Sequence, residues 1–244
     1  MKYQKPLQKG KLLKRYKRFF SDIEYKGEVI TAHLPNTGSL KTVPLEDTGC
    51  FFSTSDDPKR KLKYSLEIID TNSGLVGVNT RVPNIIVGEA LENKIIHKSF
   101  KYHQAEVKIS DKSRIDFVLS KRAPEKKLKY PDYFDQSLDL HFIEVKNVTM
   151  LEGKTALFPD GVSERATKHL QELIRLKEMG YGAEVLFTVQ RENVEEFSPA
   201  IDLDPIYAKT LKEAKKRGVK ISAYQVHLTK KEVYLTDQKI KIKL

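Results

Sequence analysis

The sequence predicts an α+β protein made of a small β-barrel over residues 1–74 and a mixed α/β domain over residues 75–244. Three observations lead to this prediction. Short strand-like runs separated by turn residues fill the first part, which is typical of small barrels. Helical and strand-like patterns alternate in the second part, which is typical of helices packed on a sheet. The polar turn Asn72-Ser73-Gly74 lies between the two patterns and marks the predicted boundary.

Four strands are predicted in the first part, at residues 19–25, 28–34, 50–54 and 64–70. Each contains β-branched or aromatic residues, and turn chemistry separates them, as at Lys26-Gly27. Strands this short and this closely spaced favour a barrel, and the five-stranded oligonucleotide-binding (OB) barrel is the common solution at this size. The first domain is therefore predicted to be an OB-like barrel.

The second part is predicted to contain three helices, at residues 85–92, 163–177 and 205–217. The first has its start near Val82-Pro83-Asn84, with Asn84 or a neighbour as the N-cap, and Ser163 is the N-cap of the second. Apolar runs predict strands at residues 102–109, 114–119, 141–147, 184–190, 219–228 and 232–235. Strands interspersed with helices make this part a mixed α/β layer.

Charge indicates which partners to expect. The chain carries a net charge of +11 and has a pI of about 9.4, so polyanions are the first partners to consider, because Lys and Arg contacts to phosphates release counterions, and membrane surfaces are the rival. Basic residues and tyrosines are interleaved in two clusters, at residues 11–18 and 58–64. The clusters predict a groove that follows a nucleic-acid backbone and offers stacking platforms, although solvated barrel loops have the same composition. The predicted DNA-binding residues are Arg15, Lys17, Arg18, Lys59, Arg60 and Lys61.

Composition also excludes several classes of protein. No apolar run approaches the roughly 20 residues that span a bilayer, and the basic start of the chain lacks the apolar region of a signal peptide. The single Cys50 cannot form an intramolecular disulfide, and no Cys/His cluster with zinc-site spacing is present. We therefore expect a cytoplasmic protein with no membrane partner, and a homodimer is the assembly to consider.

Three charged residues interrupt two otherwise apolar strands. Asp116 lies in one strand, and Glu144 and Lys146 lie in the other. Because side chains alternate along a strand, Glu144 and Lys146 leave from one face while Ile143 and Val145 pack on the other. If the two strands pair, Asp116 reaches the same edge. Two carboxylates and a lysine at one edge would hold Mg²⁺ (or Mn²⁺) beside a water poised to attack a phosphodiester.

Further residues complete this predicted site. Glu89, on the preceding helix, is expected to supply a third carboxylate through water. Arg165, Lys168 and His169 lie near the start of the second helix, where backbone donors also favour anions. We expect these three residues to bind the scissile or an adjacent phosphate.

Two alternatives remain open at this point. Asp132, in the pair Pro131-Asp132, competes with Asp116 as the first acid, although a metal site needs a ligand on a rigid element and Asp132 lies in a predicted loop. Alternating charges such as Glu144 and Lys146 also occur on solvated edge strands that have no catalytic function.

The same residues resemble the pattern of the PD-(D/E)xK nuclease superfamily, which has an acidic strand end, a second strand with acid-x-Lys, and a following helix. Asp116, Glu144 and Lys146 match that pattern, with Ile115 in place of the nominal proline. Blocks over nearly the whole chain are similar to the sugar fermentation stimulation protein A family, at residues 15–19, 31–39, 58–62, 76–80, 113–117, 144–149 and 158–170. Leu34 departs from that family's block, where a cysteine is expected.

The resemblance implies an N-terminal OB-type barrel, a C-terminal PD-(D/E)xK nuclease-like domain and DNA binding with little sequence preference. It also implies an association with maltose metabolism and transcriptional regulation in bacteria. We therefore predict a DNA-binding protein with a Mg²⁺-dependent phosphodiesterase site, in which Lys146 orients or deprotonates the attacking water. The alternatives are a regulator that binds DNA without turnover on a nuclease scaffold, and a protein whose basic surface binds RNA.

Overall fold

The structure is a computed structural model that describes residues 1–111, 113–130 and 138–244, so the predicted competitor Asp132 lies outside the described residues. In chain order the elements are β1 (Gln8–Tyr16), β2 (Phe20–Tyr25), β3 (Glu28–His33), β4 (Thr48–Thr54), β5 (Tyr64–Thr71), β6 (Gly74–Gly77), α1 (Val82–Glu92), β7 (Tyr102–Lys108), β8 (Arg114–Ser120), β9 (His141–Val148), β10 (Met150–Glu152), β11 (Thr155–Phe158), α2 (Glu164–Glu178), β12 (Gly182–Val189), β13 (Glu196–Pro199), α3 (Pro205–Lys216), β14 (Lys220–Leu228), β15 (Val233–Lys239) and β16 (Lys241–Ile242). Within this part of the chain, no helix has the length and apolar character needed to cross a membrane.

Strands β1 to β5 form a closed barrel. Their sheet has the order β3-β2-β1-β4-β5, and a short parallel pairing of β3 with β5 joins its two edges. Fully buried apolar side chains fill the interior, among them Leu12, Ile23, Phe52 and Leu66. The predicted OB-like barrel of five strands is confirmed.

Strand β1 is missing from the sequence prediction because its charges obscure its apolar pattern. In β1, Leu12 alone is buried, and Lys11 and Lys14 point to solvent. A register shift between Leu12 and Lys14 in the pairing with β2 also breaks the alternation that identifies a strand. Most of the predicted basic cluster at residues 11–18 is therefore barrel wall, and its last residues form the turn into β2.

Both ends of the barrel differ from the predicted range of 1–74. The predicted boundary turn closes a hairpin, in which Thr71 pairs with Gly74, so the barrel sheet continues to Gly77. The segment before β1 lies against the C-terminal domain. There the backbone N–H of Leu7 donates to the carbonyl of Lys230 at 2.7 Å, and the Leu7 side chain is buried in the core around α1.

The C-terminal domain is a mixed α/β layer, as predicted. Its six-stranded sheet has the order β15-β14-β12-β9-β8-β7, with β9, β12 and β14 parallel to one another. Helices α2 and α3 pack with Phe142, Val185 and Phe187 on one face of this sheet. Helix α1 packs with Ile143 and Leu186 on the other face. The sheet therefore has two cores, and residues of β9 alternate between them.

Loops of the C-terminal domain hold the barrel in place. The Asp160 carboxylate, in the loop after β11, accepts from the backbone N–H of Leu40 at 3.2 Å and from the Ser39 hydroxyl at 3.3 Å. The Arg191 guanidinium, which follows β12, donates to the Thr42 carbonyl at 3.1 Å. The barrel loop at residues 39–42 is thereby fixed against the second domain.

Leu7→Ala is expected to lower the free energy of unfolding by about 2 kcal/mol or more, because removing buried methyl groups leaves a cavity in the core. Denaturant unfolding followed by circular dichroism measures this change. Val29→Ala is the control, since Val29 is 63% exposed, and it should cost less than about 0.5 kcal/mol. Equal costs for the two variants would show that the segment before β1 does not belong to the C-terminal core.

Candidate functional site

The candidate site forms where strands β8 and β9 separate. Their antiparallel pairing ends at Phe117 and Ile143, one step before Asp116 and Glu144 would lie opposite each other. The Asp116 carboxylate enters the gap, and its Oδ2 accepts a hydrogen bond from the backbone N–H of Val145 at 2.7 Å. Asp116 and Glu144 both line the cleft that opens there. The structure therefore brings these two predicted acids together.

Glu144 is buried and interacts with two basic groups. The Nζ of Lys146 donates to Glu144 Oε1 at 2.6 Å, and the Nδ1 of His169 on α2 contacts the same oxygen. Lys146 Nζ and His169 Nδ1 lie 3.2 Å apart. Glu144 and Lys146 share the face of β9 that α2 covers, so His169 reaches both. The predicted acid-x-Lys pair thus becomes a cluster of three side chains.

The pKa values of the two carboxyls are shifted in opposite directions. Burial, and then the charge of Glu144, raises the pKa of Asp116 to about 6, although Val145 and Asn84 donate hydrogen bonds to it. Burial also acts to raise the pKa of Glu144, but the His169 hydrogen bond and the Lys146 charge outweigh it and the pKa is lowered. Asp116 therefore lacks full charge compensation, a feature that is concentrated at functional sites.

The cleft over the two carboxylates has a volume of about 1610 Å³. Arg165 and Lys168 lie on the exposed side of α2 and line this cleft together with His169. Lys146 lines a neighbouring cleft of about 340 Å³, and the barrel loop at Thr37 forms its opposite wall. Basic side chains therefore line both clefts next to Glu144.

Glu89 does not join this site, contrary to the prediction. Its carboxylate pairs with the N-terminal amine of Met1. The same helix contributes Asn84, whose side-chain amide donates to Asp116 Oδ1 at 2.8 Å. Asn84 lies inside α1 and is not its N-cap. The N-cap is Arg81, whose side chain makes no capping hydrogen bond. Asn84 and Glu89 differ by five positions and so lie about 140° apart around a helix of 3.6 residues per turn.

Glu106 is an acid near Asp116 that the sequence analysis missed. It lines the same cleft and accepts a long hydrogen bond from Asn84 at 3.4 Å. Strands β7 and β8 pair on both sides of this position, so Glu106 lies opposite Asp116. Both residues lie in predicted strands, at 102–109 and 114–119. The sequence does not give the register of this hairpin, which is what places Glu106 opposite Asp116.

The predicted DNA-binding residues of the barrel fall into two groups. Arg15 donates to the carbonyls of Asn36 and Gly38 at 2.9 and 3.0 Å, and Arg60 donates to the Ser65 hydroxyl at 2.8 Å. Both guanidinium groups therefore have partners within the barrel, and Arg15 holds the loop after β3, while contact of either residue with a DNA backbone stays a prediction. Arg60 is exposed, as are the other predicted residues, Lys17, Arg18, Lys59 and Lys61.

The raised pKa of Asp116 should affect stability when a chelator keeps the protein free of metal. The folded state binds this proton more tightly than the unfolded state, so stability falls as the pH rises from about 4 to about 7. Asp116→Asn removes that loss. The difference between the free energies of unfolding of Asp116→Asn and wild type should therefore shift in favour of the variant by about 2–3 kcal/mol as the pH rises across this range.

Denaturant titrations at several pH values measure this difference. Asp111→Asn is the matched control, because Asp111 is an exposed acid that lines the same cleft. A difference between Asp116→Asn and wild type that stays constant from acid to neutral pH would contradict the raised pKa of Asp116.

The chain is similar to known proteins along its whole length. The family model described as the sugar fermentation stimulation protein RE domain matches residues 81–232, and the SfsA N-terminal OB domain matches residues 13–78. A sugar fermentation stimulation protein homolog from Bdellovibrio bacteriovorus is 45% identical over 100% of both chains. A homolog from Pelagibacter ubique is 44% identical over 99% of both chains.

A solved structure shares the fold. It is described as Pyrococcus furiosus SfsA in complex with Ca²⁺, and it has a TM-score of 0.82 at 23% identity, covering 100% of this chain and 98% of that chain. The likeness extends over both the barrel and the α/β domain. The two family models and the homologs lead to one further conclusion: this chain belongs to the sugar fermentation stimulation protein family.

Proposed function

We propose that this protein is a Mg²⁺-dependent DNA phosphodiesterase of the PD-(D/E)xK type, with little sequence preference. The observation that carries the proposal is that Asp116 and Glu144 meet at one cleft while Lys146 is held 2.6 Å from Glu144. Converging carboxylates are ligands for a hard cation, and an adjacent lysine can act on a bound water. A buried ion pair such as Glu144 with Lys146 adds little net stability, so stability alone does not account for this set.

The residues at the strand opening fit a divalent ion with oxygen ligands. Asp116 and Glu144 supply carboxylates. The Val145 carbonyl is a further oxygen ligand, because it leaves β9 on the same side as the Val145 N–H, which donates a hydrogen bond to Asp116. The charge of Glu144 helps to raise the pKa of Asp116 to about 6, so added positive charge would be stabilising there. The Pyrococcus furiosus relative was solved in complex with Ca²⁺, which also prefers oxygen ligands. When bound, Mg²⁺ or Mn²⁺ would lower the pKa of a bound water and stabilise negative charge on the phosphate.

The chain's own side chains have distinct roles in this proposal. Lys146 orients or deprotonates the attacking water, and its Nζ is held in place by Glu144 and His169. His169 contacts Glu144 and so positions that carboxylate, a role that differs from the predicted phosphate contact. Arg165 and Lys168, which are exposed in the cleft, bind the scissile or an adjacent phosphate.

The barrel would hold DNA close to the carboxylates. A third cleft, of about 570 Å³, lies between the β1–β2 turn at Arg18 and the loop before α2. It shares Thr37 and Asp160 with the cleft that Lys146 lines. These two clefts adjoin, and Lys146 in the second contacts Glu144 at the strand opening. A chain with a net charge of +11 favours a polyanion bound along them.

Purified protein is expected to cleave plasmid, linear or single-stranded DNA when Mg²⁺ or Mn²⁺ is present. Asp116→Ala and Lys146→Ala should each slow cleavage by about 100-fold or more, because the first removes a metal ligand and the second the group that acts on water. Gel assays of cleavage over time measure both rates.

Glu172→Gln is the matched control for a third variant, Glu144→Gln, because Glu172 is an acid that lines the same cleft and pairs with Arg175. It should retain the wild-type rate, whereas Glu144→Gln should lose it. Cleavage that survives both Asp116→Ala and Lys146→Ala would reject the mechanism. DNA binding without cleavage under every metal condition would favour the alternative function, a DNA-binding regulator that keeps the scaffold without turnover.

Salt dependence tests the contribution of the barrel. The double variant Lys59→Ala, Lys61→Ala should reduce the slope of log affinity against log salt by about 2, because each phosphate contact contributes about 0.9. Fluorescence anisotropy with labelled duplex DNA measures the slope. The control removes two exposed lysines of α3, Lys212→Ala with Lys216→Ala, and should leave it unchanged. Equal slopes for wild type and the Lys59/Lys61 variant would exclude these lysines from the interface.

A further inference from the structure

Two histidines and a glutamate from distant parts of the chain meet on the α1 face of the large sheet. His97 lies in the connection between α1 and β7, His141 begins β9, and Glu184 lies in β12. Glu144 projects to the opposite face, because side chains alternate along β9. The cluster is therefore separate from the proposed phosphodiesterase site and does not depend on it.

The three side chains converge on a single point. The Nε2 atoms of His97 and His141 each lie 3.0 Å from the same oxygen, Oε2 of Glu184. The three atoms all lie within 4.8 Å of one another. In a tetrahedral Zn²⁺ site with bonds of about 2.0–2.1 Å, neighbouring ligand atoms are about 3.3 Å apart. Small side-chain adjustments would therefore bring all three atoms to bonding distance from one ion.

His97 has a buried ring nitrogen whose ion-pair contact with Glu184 lacks the geometry of a hydrogen bond. Its Nε2 is shielded from solvent and makes no hydrogen bond, although it lies only 3.0 Å from Glu184, so the two groups are not aligned for one. The His97 side chain is 6% exposed. Buried polar atoms nearly always have a hydrogen-bond partner, and a metal ion would give this nitrogen a better-aligned partner than the Glu184 ion pair does. This nitrogen points into the same space as the one from His141.

Neighbouring residues fix the orientation of the ligands. The Ser222 hydroxyl donates to Oε1 of Glu184, and the other carboxylate oxygen, Oε2, faces the two histidines. Gly182 pairs with His141 in the adjacent strand, and a Cβ at that position would collide with the His141 ring. The imidazole therefore lies directly over glycine backbone. Residues that hold metal ligands in this way tune their affinity for the ion.

Lys220 balances the Glu184 charge when no metal is bound. Its Nζ lies 3.0 Å from Oε2, and its side chain is 45% exposed, so it can withdraw to solvent when an ion supplies the charge. The buried carboxylate is thus compensated in both states, as a buried charge requires. A cleft of about 360 Å³ lies beside His141, which is one of its lining residues.

We propose that His97, His141 and Glu184 form a binding site for a divalent transition-metal ion of the Zn²⁺ type. Two imidazoles and one carboxylate suit Zn²⁺ and similar ions, whereas Mg²⁺ prefers oxygen ligands only. The ion would tie the connection between α1 and β7 to strands β9 and β12. Its role is structural, because binding energy that is absent from the unfolded chain adds to folding stability.

The test uses Co²⁺ as a spectroscopic probe with the full chain after treatment with a chelator. Co²⁺ bound by two imidazoles in a site of low coordination number has intense visible bands, whereas Co²⁺ held octahedrally by oxygen ligands at the carboxylate pair has weak ones. Wild type should bind one equivalent with intense bands. His97→Gln and His141→Gln should each weaken this binding by more than about 100-fold, beyond the loss typical when a residue that only supports a ligand is changed.

His227→Gln is the matched control, since His227 is exposed on β14 and lies outside the cluster. It should bind Co²⁺ like wild type. A second readout is thermal unfolding, in which Zn²⁺ should raise the Tm of wild type and of His227→Gln equally, and that of His97→Gln by less. Absence of intense bands in wild type would overturn the proposal, as would bands and affinity that persist in both His97→Gln and His141→Gln.

Discussion

The hydrogen bond from the Val145 N–H to the Asp116 carboxylate replaces a bond between strands, and the candidate site depends on this replacement. Pairing of β8 with β9 stops at Phe117 and Ile143, so the sheet opens on the side where Asp116 and Glu144 lie. The same side-chain oxygen that satisfies the freed backbone group is a candidate metal ligand. Strand β8 remains paired with β7, and β9 remains paired with β12. The opening between β8 and β9 is therefore held rigidly, which a metal site needs.

Buried charge is placed on both faces of the sheet and is compensated in similar ways. Glu144 contacts a lysine and a histidine on the α2 face. Glu184 contacts Lys220 and two histidines on the α1 face. Burial acts to raise the pKa of Glu184, yet the His141 hydrogen bond and neighbouring charges lower it overall. Buried ion pairs contribute little net stability, which is consistent with the proposals that each cluster binds an ion.

Sequence analysis predicted what local pattern determines and missed what depends on register or on distant contacts. Helix α2 was predictable because Ser163 caps it, as the hydrogen bond from Ala166 confirms, and β9 was predictable from its apolar alternation. Asn84 reaches the site because of the orientation of α1, and Glu106 because of the register of the β7–β8 hairpin. Sequence pattern gives neither, so the prediction chose Glu89 on the same helix in error. The His97, His141 and Glu184 cluster has no sequence spacing that would mark it, because its members come from three separate elements.

The contacts between the domains follow from the same local features. Arg15 in β1 holds the carbonyls of Asn36 and Gly38, and Asp160 in turn accepts from the backbone of Leu40. The loop after β3 is therefore bonded on one side to the barrel and on the other to the C-terminal domain. This loop forms a wall of the cleft that Lys146 lines. A rigid loop at that position fixes the distance between the barrel and the strand opening, so a polyanion bound to the exposed lysines of the barrel would reach the carboxylates at a defined place.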